Sequence, residues 1–405
     1  MSRGSPVLRS GHHLRLLEGS GELFPALVEA IESAASEVLL ETYIFDFTGS
    51  SVEVAYALER AGRRGVLVRV VADGVGCPEL PGPWALRFEA AGVHWHTFSP
   101  PGRFGLLWPG QWRRLHRKLC VVDRQIGFCG GINILDDFHD PNHGTLTAPR
   151  LDFSLRATGP MVAQMHEEMQ ALWLRIEAMS QLRQARLTGA LVSLRAAGLR
   201  TPAPPAKPSH GMPQARAALL LRDNVRHRTQ IERAYLRAIG RARSDIIIAN
   251  AYFVPGRRMR HALVRAARRG VRVSLLLQGR YEYFMQYYAA RPVFGALLKA
   301  GVQLYEYSPS FLHAKVAVVD GHWATIGSSN LDPLSLLLAR EANVVVEDAV
   351  FGERLRQRLL HAMEQEGQRM DAAEYENRPP LARAKEWLAL VLMRLALAIQ
   401  GKKYL

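Results

Sequence analysis

The amino-acid sequence predicts an α/β protein of two similar α-β-α lobes, with its functional site at the pseudo-twofold interface between them. Three observations carry this expectation. The pattern His-x-Lys-x-x-x-x-Asp occurs twice, as His116/Lys118/Asp123 and His313/Lys315/Asp320. Each copy is followed at the same interval by a turn of small residues ending in Asn, Gly130-Gly131-Ile132-Asn133 and Gly327-Ser328-Ser329-Asn330. Flanking segments repeat in the same order, and strand-like runs alternate with helical ones, which favours a mainly parallel or mixed sheet covered by helices.

The elements follow in matching order. A helix over about 22–35, and again over about 227–243, leads into an aliphatic, β-branched strand, Val38–Phe45 or Ile246–Phe253. A second helix over about 51–64 or 257–269 carries Leu58-Glu59-Arg60-Ala61-Gly62-Arg63-Arg64-Gly65-Val66 or its counterpart Leu263-Val264-Arg265-Ala266-Ala267-Arg268-Arg269-Gly270-Val271. Gly65 and Gly270 stand where a helix closes, and strands Val66–Ala72 and Val271–Leu277 follow. Another helix, a short strand and the motif strand, Lys118–Val122 or Lys315–Val319, complete each half. Side chains two apart on a strand share a face, so His116 and Lys118 point the same way, as do His313 and Lys315.

The halves differ before the motif. From Ser99 to His116 is 17 positions, but from Ser308 to His313 only 5, so the first half carries 12 extra residues. That insertion, Arg103 to Arg114, mixes Trp108 and Trp112 with arginine, a combination that suits a membrane interface as well as a self-packed loop. The aromatic run Tyr281, Tyr283, Phe284, Tyr287 and Tyr288 fits an acyl-chain entry or a buried helix. The chain divides into a first lobe over 1–198, a Pro-rich linker over 199–214, a second lobe over 215–370 and a basic, apolar tail over 371–405. Within the tail, Trp387 to Ile399 is too short to span a bilayer. It reads as an amphipathic helix, lying on a membrane or docked on the protein itself.

Composition narrows the classes. With 48% hydrophobic and 8% aromatic residues the 405-residue chain is folded rather than disordered. Its 52 Lys and Arg against 37 Asp and Glu, net +15, favour an anionic partner, a phospholipid surface or a nucleic acid, over a merely solvated basic surface. Cys77, Cys120 and Cys129 lack paired spacing, and no signal peptide is legible before them, so a reducing cytoplasm is expected. Cys120 and Cys129 lie in apolar strand-like runs, which makes them packing residues rather than nucleophiles.

Two histidines with two lysines suit a phosphodiester. The lysine ammonium groups, with the amides of Asn133 and Asn330, would neutralise non-bridging oxygens as charge builds in the transition state. One imidazole attacks phosphorus and forms a phosphohistidine; the other protonates the leaving oxygen and later deprotonates the acceptor. No metal and no cofactor is expected, because neither half offers a Cys/His cluster and the motif lysines would repel a cation. Asp152 and Glu341, at matching places in the repeat, are expected to orient the imidazoles, each within its own half. Asp123 and Asp320 complete the motif as part of the catalytic set, although their strand-end positions suit holding backbone.

With these segments in view, the chain resembles the phospholipase D superfamily, whose two-motif members share this pseudo-twofold plan. Within it the chain is similar to the bacterial cardiolipin synthases of the B type. The residues behind the likeness are Leu115-His116-Arg117-Lys118, Ile248-Ala249-Asn250-Ala251-Tyr252-Phe253, the run from His322 to Ser335, and Glu341-Ala342-Asn343-Val344. The likeness spans roughly residues 12–365. It implies a phospholipase D-like duplication, with a phosphatidyl group passing to phosphatidylglycerol to give cardiolipin. The donor that the resemblance implies is phosphatidylglycerol or phosphatidylethanolamine, and the sequence does not choose between them. His116 is then the nucleophile and His313 the acid/base, on a peripheral protein at the cytoplasmic face of the bacterial inner membrane. Hydrolytic phospholipase D, a phospholipase D-type nuclease and a non-catalytic membrane scaffold are the alternatives. A nuclease needs neither the Trp-rich insertion nor the tail, so no nucleic acid is expected.

Overall fold

The computed structural model describes residues 7–102, 112–183, 192–193, 195–197, 215–223, 227–280, 284–332 and 339–399. Linker residues 199–214, insertion residues 103–111, Tyr281, Tyr283 and tail residues 400–405 lie outside the described residues.

The first half runs β1 (Arg9–Glu18), α1 (Gly19–Glu32), β2 (Glu37–Thr42), α2 (Val52–Arg63), β3 (Leu67–Asp73), α3 (Gly82–Ala91), β4 (Val93–Phe98) and β5 (Arg114–Leu115). It continues through β6 (Leu119–Val122), β7 (Ile126–Gly130), the small hairpin β8 (His139–Asp140) and β9 (Gly144–Thr145), β10 (Phe153–Thr158) and α4 (Pro160–Arg183). The second half repeats this as β11 (Ala215–Arg222), α5 (Gln230–Arg241), β12 (Asp245–Asn250), α6 (Arg257–Arg268), β13 (Arg272–Gln278), α7 (Phe284–Lys299) and β14 (Gln303–Tyr307). Then come β15 (Lys315–Val319), β16 (Trp323–Gly327), β17 (Ala339–Glu347), α8 (Ala349–Gln365), β18 (Gly367–Arg369), α9 (Ala372–Glu376) and α10 (Pro380–Ile399).

The two halves are joined in one mixed sheet. Its order is β18-β14-β13-β12-β15-β16-β17-β11-β1-β10-β7-β6-β2-β3-β4, with β5 attached beside β17. Read outward from the central antiparallel pair β11 and β1, the two sides have the same order, which is the duplication made visible. β2, β3 and β4 are mutually parallel, as are β12, β13 and β14. The motif strands β6 and β15 run antiparallel to β2 and β12.

Sequence patterning explains the layers. Along β2, Val38 and Leu40 face one core while Leu39 faces another, so the strand is apolar on both sides. Helix α2 buries Val54, Ala55, Leu58 and Ala61 on one stripe and ends where Gly65 takes φ 84°, as α6 ends at Gly270 with φ 87°. Helices α1–α3 and α5–α7 close separate cores over each lobe. Helices α4 and α8 share one core with strands of both lobes. Cys120 and Cys129 are buried in these layers, and burial pushes both thiols up to about 12, far from a nucleophile's range.

The tail is docked. Helix α10 sits on α7 through Ala389 and Met393, which are fully buried. Lys299 pairs with Glu376 at 3.0 Å, and Tyr375 donates its hydroxyl to the Arg291 carbonyl.

Candidate active site

The two motifs are locked into each other's lobe before any side chain is considered. The His116 amide donates to the Arg340 carbonyl at 3.0 Å, and the His313 amide donates to the Leu151 carbonyl at 2.9 Å. Strand β5 pairs in parallel with the start of β17, and Leu312 makes the matching bridge with Leu151. Each histidine is thus carried on a segment that crosses the molecular pseudo-dyad.

The side chains follow that crossing. His116 Nδ1 lies 3.1 Å from Glu341 Oε2, and His313 Nδ1 lies 2.6 Å from Asp152 Oδ2. Sequence order suggested acids working within their own half; the structure exchanges them. The reason is the strand pairing, which places Asp152 beside the incoming His313 segment and Glu341 beside the His116 segment. A carboxylate on Nδ1 fixes the tautomer and leaves Nε2 for chemistry.

The lysines complete a compact charge cluster. Lys118 Nζ donates to the His116 carbonyl at 2.9 Å, and Lys315 Nζ donates to the His313 carbonyl. Lys315 is fully buried and stands 3.9 Å from Asp152. Burial lowers Lys118 to about 7, the Lys315 ammonium adds to the shift, and Glu341 opposes it. Both imidazoles are lowered by burial, His313 well below its ordinary value, with Lys315 and Lys118 adding to the shift. His116 also acts electrostatically on His313, as expected of groups in one cleft. An anionic phosphodiester is the natural counterion for such a cluster.

The acids differ because their seats differ. Burial raises Asp152 to about 7, with Lys315 pulling the other way. Burial also works to raise Glu341, but His116, Lys118 and the Ser328 hydroxyl outweigh it and hold it below the ordinary carboxylate range. Gly131 occupies the place in the first half that Ser328 has in the second. A Cβ there would meet Asp152 Oδ1 at 2.3 Å, so Glu341 has a hydroxyl donor where Asp152, among the described residues, has none and accepts from the Phe153 amide at 2.8 Å.

Sequence reasoning gave no role to Ser328 or to Tyr43, whose ring lies 5.0 Å from that of His116 and 5.4 Å from Lys118 Nζ. The duplicated turn and the paired Tyr43 and Tyr252 segments held that signal. Asn133 is buried and its amide oxygen accepts from the Ile44 amide at 3.2 Å; Asn330 is buried in the matching turn.

Asp123 and Asp320 do not join this cluster, which corrects their place in the catalytic set. They sit at the far ends of β6 and β15, about 20 Å along the chain from the histidines at strand rise. Both adopt positive φ, 48° and 52°. Asp123 accepts from the amides of Ala35, Ser36 and Glu37 and the Ser36 hydroxyl; Asp320 accepts from the amides of Arg243, Ser244 and Asp245 and the Ser244 hydroxyl. They pin the entry of β2 and β12. Asp123→Ala or Asp320→Ala should therefore cost about 2 kcal/mol and lower the melting temperature by a few degrees, while the folded fraction keeps its turnover number. A melting curve beside an active-site titration separates the two effects.

Among the described residues no group of three or more His, Cys, Asp and Glu side chains is arranged to hold a metal ion. Nor is any described helix long and apolar enough to cross a membrane.

The chain is similar to known proteins along most of its length. A family model described as "Cardiolipin synthase, PLD-like domain" matches residues 27–173 and 235–363, one segment on each half. The chain is 36% identical over 394 residues to cardiolipin synthase B of Escherichia coli K12, covering 97% of this chain and 90% of that one. It is 36% identical over 393 residues to cardiolipin synthase B of Salmonella typhi, with the same coverage. Among solved structures, phosphatidylserine synthase of Haemophilus influenzae superposes with a TM-score of 0.68 over 94% of each chain at 12% identity, a likeness of fold.

Proposed function

The chain belongs to the phospholipase D-like cardiolipin synthase family, and on that footing we propose that its cleft passes a phosphatidyl group to phosphatidylglycerol through a phosphohistidine. As a member it is a phosphatidyltransferase acting on phospholipids. The observation that carries the finer reading is the crossed pairing, His116 with Glu341 and His313 with Asp152. Each half supplies the acid that orients the other half's imidazole, so neither lobe makes a working histidine alone.

The asymmetry of the acids supports a division of roles. Glu341 stays ionised and holds His116 as the Nδ1–H tautomer, with its Nε2 lone pair free for attack. Asp152, raised to about 7, gains and loses its proton near neutral pH while 2.6 Å from His313 Nδ1, which suits support of a general acid and base. His116 Nε2 bonds to phosphorus as the P–O bond to the leaving head group breaks, and His313 protonates the departing oxygen. The acceptor hydroxyl then loses its proton to His313, its oxygen bonds to phosphorus, and the P–N bond breaks. Lys118, Lys315 and the amides of Asn133 and Asn330 take the charge on the non-bridging oxygens. With phosphatidylglycerol as both donor and acceptor, the products are cardiolipin and glycerol.

Purified protein with phosphatidylglycerol vesicles should release glycerol and form cardiolipin in equal amounts. Phosphatidic acid as the main product would replace transfer by hydrolysis, and cleavage of a nucleic acid but no lipid would remove the reading altogether.

The protein meets its substrate as a peripheral protein on the anionic inner-membrane surface. Helix α10 supports this: the face opposite α7 exposes Leu381, Leu388, Leu392 and Leu395, with Trp387, 66% exposed, at its edge. Arg383, Lys385 and Arg394 flank that stripe. Apolar rings and chains between cations fit an acidic bilayer interface. Changing Trp387, Leu388 and Leu392 together to Ser should reduce sedimentation with phosphatidylglycerol vesicles at least tenfold. Undiminished sedimentation would leave α10 a purely structural helix.

A further inference from the structure

Two residues that hold the backbone on either side of His313, Gln278 at Leu312 and Ala251 at Ala314, line a pocket in the second lobe that the first lobe does not match. Gln278 ends β13 as Asp73 ends β3, and both pair with the following parallel strand at the equivalent position. Both side chains perform one task. Asp73 Oδ2 accepts from the Leu115 amide at 2.7 Å, and Gln278 Oε1 accepts from the Leu312 amide at 3.2 Å, each fixing the residue before a motif histidine. The remaining atoms diverge. Asp73 is fully buried and also takes Arg114 Nη1 at 3.1 Å and the Val75 amide at 2.8 Å, so its carboxylate is satisfied. Gln278 Nε2 is buried with no hydrogen-bond partner among the described residues.

That amide borders a pocket lined by Tyr252, Arg280, Tyr287, Arg291 and Glu306. Arg291 Nη2 donates to Glu306 Oε1 at 2.8 Å and to the Tyr287 hydroxyl at 2.6 Å, while Arg280 is engaged with the Ser308 and Pro309 carbonyls. A buried amide without a partner carries a desolvation cost that a ligand oxygen relieves. The lining offers donors in Gln278 and Arg291 and an acceptor in Glu306. A hydroxyl can accept from one and donate to the other, whereas an ammonium meets two guanidinium groups against a single carboxylate.

We infer that this pocket is the seat of the acceptor's head-group diol: it binds vicinal hydroxyls next to His313 and selects a polyol over a simple alcohol or an amine-bearing head group. The inference rests on the phosphatidyl-transfer reading above. One hydroxyl accepts from Gln278 Nε2 and donates to Glu306; its neighbour is thereby held toward His313 for deprotonation. The matching position in the first lobe, closed by Asp73 and Arg114, accommodates no such group, so the two halves treat leaving and entering head groups differently.

The test is a competition in which detergent-solubilised phosphatidylglycerol serves as donor and labelled glycerol and ethanol are offered together as acceptors. In Glu306→Gln the ratio of glycerol to ethanol transfer should fall at least tenfold, seen as a raised KM for glycerol. Gln278→Glu, which keeps an oxygen for the Leu312 amide but removes the donor, should lower the same ratio and serves if the first variant does not fold. An unchanged ratio, or an equal loss for both alcohols, would overturn the diol pocket. Absence of any alcohol transfer by the parent protein would instead sink the transferase reading beneath it.

Discussion

Replacing His116 or His313 by Ala is expected to reduce phosphatidyl transfer by on the order of 10⁵-fold, the scale seen when one member of a covalent catalytic set is removed. The two losses should differ in kind. Without His116 no P–N bond forms, so no donor is consumed whatever its leaving group. Without His313 the first step lacks only its proton donor. A phosphatidyl ester with a nitrophenol leaving group needs no such proton, so His313→Ala should release one equivalent of nitrophenol and then stall, because no base activates the acceptor. A burst in one variant and silence in the other assigns the roles. Bursts of the same size in both would make the two imidazoles interchangeable.

The second large effect concerns the exchanged acids. Glu341→Gln should cost on the order of 10²- to 10⁴-fold, since an amide can donate to Nδ1 and force the wrong tautomer on His116. Because Glu341 acts through His116, the double variant with His116→Ala should be no worse than His116→Ala alone. Pairing it with the histidine of its own half would give a different cycle. Asp152→Asn is expected to act on pH dependence as well. Asp152 lies at about 7, and the protonated Asp152–His313 pair is the form needed for the first step. The parent's kcat/KM should therefore be fully expressed below that value and fall as pH rises through it. Lys118, also brought to about 7, contributes to the same limb, so the limb should become shallower in Asp152→Asn rather than vanish.

The repeat made much of this legible. Duplicated motifs, the Gly65 and Gly270 helix ends and the aliphatic strand runs are local signals, and each has its counterpart in the fold. What escaped was non-local. Strands β1, β7, β10, β11, β16 and β17 pair antiparallel across the middle of the sheet; Asp320-Gly321 marks the turn before β16, but the β1–β10 and β11–β17 pairings join segments far apart in the chain. The exchange of Asp152 and Glu341 follows from that pairing and is invisible in sequence order. The displacement of Asp123 and Asp320 from the cleft follows from strand length, and their carboxylates are bound to backbone amides at the entry of β2 and β12. The pocket at Gln278 depends on one amide where the first lobe has a carboxylate, a difference that gains meaning only when the two strand ends are superposed.

The central claim is that both halves act on one phosphorus atom, with His116 as the attacking group. It is tested most directly by reacting His313→Ala with the nitrophenyl phosphatidyl ester, digesting under alkaline conditions that preserve P–N bonds, and locating the adduct by mass spectrometry. The expected result is a phosphatidyl group on His116 and on no other residue. An adduct elsewhere, or none while the parent enzyme consumes the same ester, would contradict it.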